Sequence, residues 1–287
     1  MINTIRNKVK ETKPLIHCIT NPISIHQCAN AILAVGARPM MAEHPQEVRE
    51  ITESAEALLL NLGNITDVRM ESMMIAAKAA KQKGIPIVLD AVGVACSGLR
   101  RELAAELLKL VTPTVIKGNY SEINALFCEA YRSAGVDADA ALEPDSVSRT
   151  AVALAKAKRA VILASGEKDI ITDGKRLVYG HNGTLQLATV TGTGCMLGAL
   201  CTAYLSGAGQ TDCAQETKLT QNAKRLEVSA MDAAITACAV LGICGELAKT
   251  EAGSGSFMVR LMDALSTLKD AELEAYLRME EREIEKV

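Results

Sequence analysis

Five short apolar runs constrain the fold of this 287-residue chain more than any other feature. They are Pro14–Cys18, Ala57–Leu62, Pro86–Asp90, Thr114–Ile116 and Ala160–Ala164. None alternates apolar with polar residues, as a strand with one wet face would. A continuous run is the pattern of a strand buried on both faces, and such strands belong to parallel sheets. Between the runs lie Ala-rich, charged segments with helical spacing: Asp67–Lys83, Leu99–Leu110 and Val147–Lys158. This alternation predicts βαβ units and a doubly wound α/β fold with helices on both faces of a mostly parallel central sheet.

After Ala164 the pattern changes. Asp169–Asp173, Arg176–Tyr179 and Leu185–Val190 read as short strands separated by Asp-Gly and Asn-Gly, which are hairpin signals. From Gly194 onward nearly everything reads as helix, including the polar-rich stretch Glu246–Val287, apart from Gly253–Ser256. The most apolar segment, Ala233–Gly245, falls short of the roughly 20 residues a membrane span needs and reads as a buried helix. No repeat, low-complexity linker or Pro/Ser-rich boundary interrupts the chain, so the expectation is one domain over residues 1–287.

Composition removes several function classes. With two Phe, five Tyr, no Trp and a net charge of -3, the chain lacks the basic stripe and aromatic faces of a nucleic-acid binder. The segment Met1–Lys13 is charged and has no apolar core, so it does not read as a signal peptide. Nine cysteines without a CxxC pair read as reduced thiols of a cytoplasmic protein, most of them small core residues. With only four His, a structural zinc site is not expected.

The chemistry concentrates in Val190–Gly198, the sequence VTGTGCMLG. Two glycines permit a tight turn and close approach to a ligand. The reading places a strand end at Val190 and a helix start near Gly194, whose unpaired first amides and dipole suit the charge of a phosphoryl group in flight. A glycine-rich helix start without any ligand is the competing reading, since neither a Walker A pattern nor GxGxxG is present. Cys195 sits one residue into that helix, where helix N-termini favour a thiolate; it either accepts the proton of an alcohol or only orients it. Lys117–Glu122, directly after a strand, combines a capping-box spacing at Asn119 and Glu122 with a lysine suited to phosphate. Glu122 and Asp90 stand at strand ends, as turn caps or as water-mediated holders of Mg2+.

In order along the chain, Ile19–Asn21, Gly36–Ala42, Asn61–Gly63, Val88–Gly93, Lys117–Glu122, Ser165–Asp169, Val190–Cys195 and Gly253–Phe257 resemble the hydroxyethylthiazole kinases, thiamine-salvage enzymes of the ribokinase-like superfamily. The wider superfamily usually has Asp where Cys195 stands, so the cysteine points to the thiazole branch. The resemblance implies a ribokinase-like three-layer α/β/α fold and phosphorylation of the hydroxyl of 4-methyl-5-(2-hydroxyethyl)thiazole by ATP with Mg2+. It places Asn21, Met41 and Gly192 at the thiazole and Cys195 next to its hydroxyl. Lys117 and Ser165 fall at nucleotide-contacting positions, with Thr193 and Gly194 in the turn that faces the transferring phosphoryl. Asp90 and Glu122 fall near Mg2+ and the phosphates. It also implies a homotrimer with active sites between subunits. Ala91, the pair Val94–Ala95, Arg38 and a long stretch Asp212–Val228 depart from the family pattern. Two rivals remain at this stage: a kinase of another vitamin precursor, such as a hydroxymethylpyrimidine or pyridoxal, and a non-catalytic nucleotide-binding protein on the same fold.

Overall fold

The computed structural model describes residues 1–128, 130–133, 142–208 and 229–284. In chain order the elements are α1 (Ile2–Thr12), β1 (Leu15–Ile19), α2 (Ile25–Ala34), β2 (Arg38–Met40), α3 (Val48–Ser54), β3 (Ala57–Asn61) and α4 (Asp67–Lys83). Then come β4 (Ile87–Asp90), α5 (Gly98–Leu110), β5 (Val115–Asn119), α6 (Tyr120–Phe127), α7 (Pro144–Lys158), β6 (Val161–Ser165), β7 (Asp169–Thr172) and β8 (Leu177–Gly180). A 3-10 helix (Leu185–Thr189), α8 (Thr193–Gly207), α9 (Ala230–Leu247), α10 (Ser254–Thr267), α11 (Asp270–Tyr276) and β9 (Met279–Arg282) complete the chain.

Among the described residues, nine strands form one sheet in the order β2-β1-β3-β4-β5-β6-β7-β8-β9. The first six are parallel and the last three antiparallel. Each apolar run feeds two cores because successive side chains point to opposite faces. Ala57, Leu59, Val88, Val115, Val161 and Leu163 join α1, α2, α8, α9 and α10 on one face. Leu58, Leu60, Ile87 and Leu89 meet α4 and α5 on the other, and Ile116, Ile162 and Ala164 meet α6 and α7 beside them. The result is the three-layer α/β/α architecture that the continuous apolar runs predict. α9 is long and apolar enough to cross a membrane, yet nearly all of it is buried against its neighbours, as a core helix.

Helix boundaries follow local chemistry. The Thr66 hydroxyl accepts the Arg69 amide at the start of α4, and Gly84 ends it at φ 77°, a left-handed C-terminal turn. Three expectations need correction. Leu185–Val190 is not a strand but a 3-10 helix, because β9 already pairs with the edge of β8 where that segment would add. Thr184 caps the segment, and Gln186 ties it to Thr250 by two hydrogen bonds of 2.6 and 3.1 Å. The C-terminal stretch is not wholly helical, since it contributes β9 itself. Finally, the short edge strand β2 stands in a segment that the apolar runs did not mark. The Asp173–Gly174 hairpin turn is as expected: Gly174 has φ 85°, and the Asp173 carboxylate accepts the amides of Lys175 and Arg176. Asp212–Val228 and Cys213 lie outside the described residues.

Candidate active site

The parallel strands β1, β3, β4, β5 and β6 all end on one edge of the sheet, where open α/β folds place ligands. Register then sets a polar row. Asn61 pairs with Asp90 across β3 and β4, Asp90 with Lys117 across β4 and β5, and Asn119 with Ser165 across β5 and β6. Asn21 lies two residues beyond β1, and Met41 one residue beyond β2.

From Lys117 to Cys195 the side chains are bonded in series. Lys117 Nζ donates to Asp90 Oδ1 at 3.0 Å, and Asn61 Nδ2 donates to Asp90 Oδ2 at 2.7 Å. Asn21 Nδ2 donates to Asn61 Oδ1 at 3.1 Å and to Cys195 Sγ at 3.2 Å. Lys117, Asp90, Asn61, Asn21 and Cys195 are all buried, Asp90 and Asn61 completely. Burial pushes the Asp90 carboxyl up, while Lys117 and Asn61 pull it down. Burial alone would lower the Lys117 ammonium, but the carboxylates of Asp90 and Glu122 reverse that and raise it. The first shift favours a neutral acid and the second a charged pair. The charged pair is the state we adopt, because in it both Asp90 oxygens accept a hydrogen bond and the ammonium faces an anion.

α8 lies directly over this row. Its N-cap, Gly192, adopts φ 89°, where a Cβ would stand 2.9 Å from that of Ser24. A Cβ on Gly198 would come within 3.0 Å of Asp90 Oδ2, and one on Gly194 within 3.4 Å of Lys117 Nζ. These two glycines, one turn apart, let the helix start settle onto the ion pair. The first backbone bond of the helix runs from Met196 N–H to Gly192 C=O at 2.8 Å. The amides of Thr193, Gly194 and Cys195 precede it and have no partner within the helix.

A cleft of about 790 Å³ opens on the other side of that helix start. It brings Ser165, Thr193 and Gly194 together with residues 181–185, 187 and 188 and the α9 residues Leu241 and Gly242. Ser165 Oγ donates to Gly118 C=O at 3.4 Å, and Thr193 Oγ1 to Leu187 C=O at 2.8 Å. Lys117 and Asp90 are not on the cleft wall; they lie beneath the helix start. Met41 is half-buried in a clamped segment. His17 bonds the carbonyl of Ala42, Ser72 donates to that of Glu43, and Arg69 grips the Glu43 carboxylate at 2.6 Å.

Tyr120 and Asp169, both on the cleft wall, escape sequence reasoning. The Tyr120 phenol donates to Lys168 C=O at 2.5 Å, and burial pushes it up to about 12. Its ring underlies Gly166, where a Cβ would stand 2.4 Å away. Burial also pushes Asp169 up to about 6, against the hydrogen bond from the Gly166 amide.

The carboxylates bear on metal binding. Among the described residues no group of three His, Cys, Asp or Glu could hold an ion. Both Asp90 oxygens accept bonds from Lys117 and Asn61. Glu122 completes the Asn119 capping box: Oε2 accepts the Asn119 amide at 2.7 Å and Oε1 the Gly93 amide at 2.7 Å. Burial pushes Glu122 up to about 7, opposed by Lys117 and reinforced by Asp90. This donor set does not fit direct ligation. It fits a hydrated ion whose waters use the remaining lone pairs, a habit of Mg2+, which keeps its water shell.

The family model for hydroxyethylthiazole kinases matches residues 6–271. The chain belongs to the hydroxyethylthiazole kinase family. Within this family it is 41% identical to hydroxyethylthiazole kinase 2 of Clostridium botulinum (strain Hall) over 271 residues, covering 93% of this chain and 95% of that protein. It is 38% identical to the hydroxyethylthiazole kinase of Methanosarcina mazei over 275 residues, 95% of this chain and 97% of the other. Its fold matches the hydroxyethylthiazole kinase structure from Pyrococcus horikoshii OT3 with a TM-score of 0.83 at 30% identity, covering 98% and 99% of the two chains. A ribokinase-like superfamily protein from Enterococcus faecalis V583 shares the fold at a TM-score of 0.62 and 12% identity, over 96% and 95% of the chains. This family member is therefore an enzyme, a kinase, with a ribokinase-like fold.

Proposed function

We propose that the chain, as one kinase domain over residues 1–287, transfers the terminal phosphate of ATP to the hydroxyl of 4-methyl-5-(2-hydroxyethyl)thiazole. The observation that carries this reading is the position of the α8 start. Its free amides stand between the buried Asn21–Cys195 contact on one side and the open cleft on the other. That is where a phosphoryl group passing from nucleotide to alcohol needs charge stabilisation, and phosphoryl transfer depends mostly on positioning and electrostatics.

In this reading the nucleotide occupies the cleft, against Ser165, Thr193 and Gly194, with Lys117 supplying positive charge from beneath. Asn21, Met41 and Gly192 border the thiazole, and Cys195 meets the acceptor hydroxyl. Asp90 and Glu122 would hold Mg2+ through water; bound there, the ion neutralises the charge of the β- and γ-phosphates. The enzyme works in the cytoplasm as a homotrimer with sites between subunits. The exposed apolar residues Ile23, Leu33 and Met40, on and beside α2 and β2, support association at the acceptor end. A panel of small alcohols, with ATP consumption as readout, tests the assignment: the thiazole alcohol should be preferred over hydroxymethylpyrimidine and pyridoxal. Preference for either rival overturns it.

A further inference from the structure

The buried polar row has a direction, and the direction ends at Cys195. The Gly63 amide only donates, so Asn61 must turn its Oδ1 toward that amide and its NH2 toward Asp90 Oδ2, 2.7 Å away. Asn61 Oδ1 is thereby aimed at the Gly63 amide, at 2.9 Å, and at Asn21 Nδ2, at 3.1 Å. That oxygen also only accepts, so Asn21 must present its own NH2, and its Oδ1 takes the Ser24 amide at 3.1 Å. The second N–H of Asn21 then points at Cys195 Sγ, 3.2 Å away. Gly63 leaves the room this needs: a Cβ there would stand 2.8 Å from Asn21 Nδ2 and 2.9 Å from Asn61 Oδ1.

We propose that Asn61 is a positioning residue that, through Asn21, holds the Cys195 sulfur as a hydrogen-bond acceptor. In that polarity the thiol proton is kept away from Asn21, and the sulfur faces the acceptor alcohol ready to receive its O–H. Asn61 itself is fully buried and acts only through Asn21. The inference rests on the reading that places Cys195 beside the acceptor hydroxyl.

Two variants test it. Asn61→Leu removes the link and leaves Asn21 free to turn. The double variant Asn61→Asp with Asp90→Asn moves the carboxylate one strand over; it reverses the one bond between positions 61 and 90 and keeps the acceptors that Gly63, Asn21 and Lys117 meet. Because Asp90 is placed near the phosphates, the double variant is read by the iodoacetamide alkylation rate of Cys195, followed on its peptide by mass spectrometry, and not by turnover. Asn61→Leu should lower kcat about tenfold with the nucleotide KM retained, and slow Cys195 alkylation severalfold. The double variant should alkylate within about threefold of the wild-type rate. Wild-type kcat and alkylation in Asn61→Leu overturn the proposal, as does a folded double variant whose alkylation stays slow. Should Asn61→Leu not fold, the double variant alone decides. Should the wild-type enzyme not phosphorylate the thiazole alcohol, the functional reading fails, while the alkylation comparison still decides the role of Asn61.

Discussion

Replacing Lys117 by Met tests the buried ion pair under α8. The lysine is 3% exposed and Asp90 not at all, with 3.0 Å between their charges. Met keeps most of the aliphatic stem but leaves the Asp90 carboxylate with Asn61 as its sole donor among the described contacts, and with Glu122 as a repelling neighbour. Breaking one side of a buried pair costs roughly 3–5 kcal/mol. At about 2–4 °C per kcal/mol for a protein of this size, the melting temperature should drop by roughly 6–20 °C at pH 7. The loss has a pH signature. Without its partner the folded-state pKa of Asp90 rises further, so the native state binds more protons than the unfolded chain above the ordinary carboxylate range. Stability therefore falls as pH rises through that window, and the deficit of the variant should shrink on acidification. Adding Asp90→Asn to Lys117→Met removes the stranded charge and should recover most of the loss. Urea unfolding of the three proteins at pH 5 and pH 8 measures all of this. A deficit below about 1 kcal/mol, or one that does not change with pH, would refute the reasoning.

Other consequences follow from the same geometry. Gly166→Ala should cost about 1–3 kcal/mol in thermal unfolding and raise the KM for ATP more than that for the alcohol, because its methyl would enter the Tyr120 ring beside the cleft. Gly242→Ala should act similarly on nucleotide binding, since Asn182 backbone stands 2.6 Å from the added carbon; titration calorimetry with ATP checks it. Glu122, raised to about 7, and Asp169, raised to about 6, are both easier to protonate folded than unfolded. Their contribution is fully present below pH 4 and is lost as pH rises to about 7; in urea midpoints, Asp169→Asn should flatten the part of that slope near pH 6. Cys195→Ala should lower kcat while leaving nucleotide affinity unchanged, and unchanged kcat would remove Cys195 from the chemistry.

Much of the fold was legible because its physics is local. Asp67–Lys83 reads as a helix from its spacing, and Thr66 and Gly84 stop it where they should. Continuous apolar runs mark β3 and β4 because both faces of those strands are covered. The Asn119–Glu122 spacing announces a capping box that the structure contains. What stayed hidden depends on partners distant in sequence. Leu185 and Leu187 alternate like a strand, but the edge they would join belongs to β9, about a hundred residues later. β2 is three residues with Pro39 at its centre, too short for a periodic signal. At the site, Cys195 and Asp90 stand out by residue type and position, and Asn21 through the family resemblance. Asn61 does not: in the sequence it sits inside an apolar run, and although Asn61–Gly63 resembles the family pattern, only the register that sets it against Asp90 gives it a role. Tyr120 and Asp169 likewise reach the cleft only once β5, β6 and β7 are paired.

The most direct test of the central claim is the product itself. The purified protein is incubated with ATP, Mg2+ and 4-methyl-5-(2-hydroxyethyl)thiazole, and the product is followed by phosphorus NMR. The expected product is a phosphate monoester on the hydroxyethyl oxygen, formed in step with ADP. Nucleotide binding without that ester, or faster phosphorylation of a hydroxymethylpyrimidine or pyridoxal, would contradict the claim.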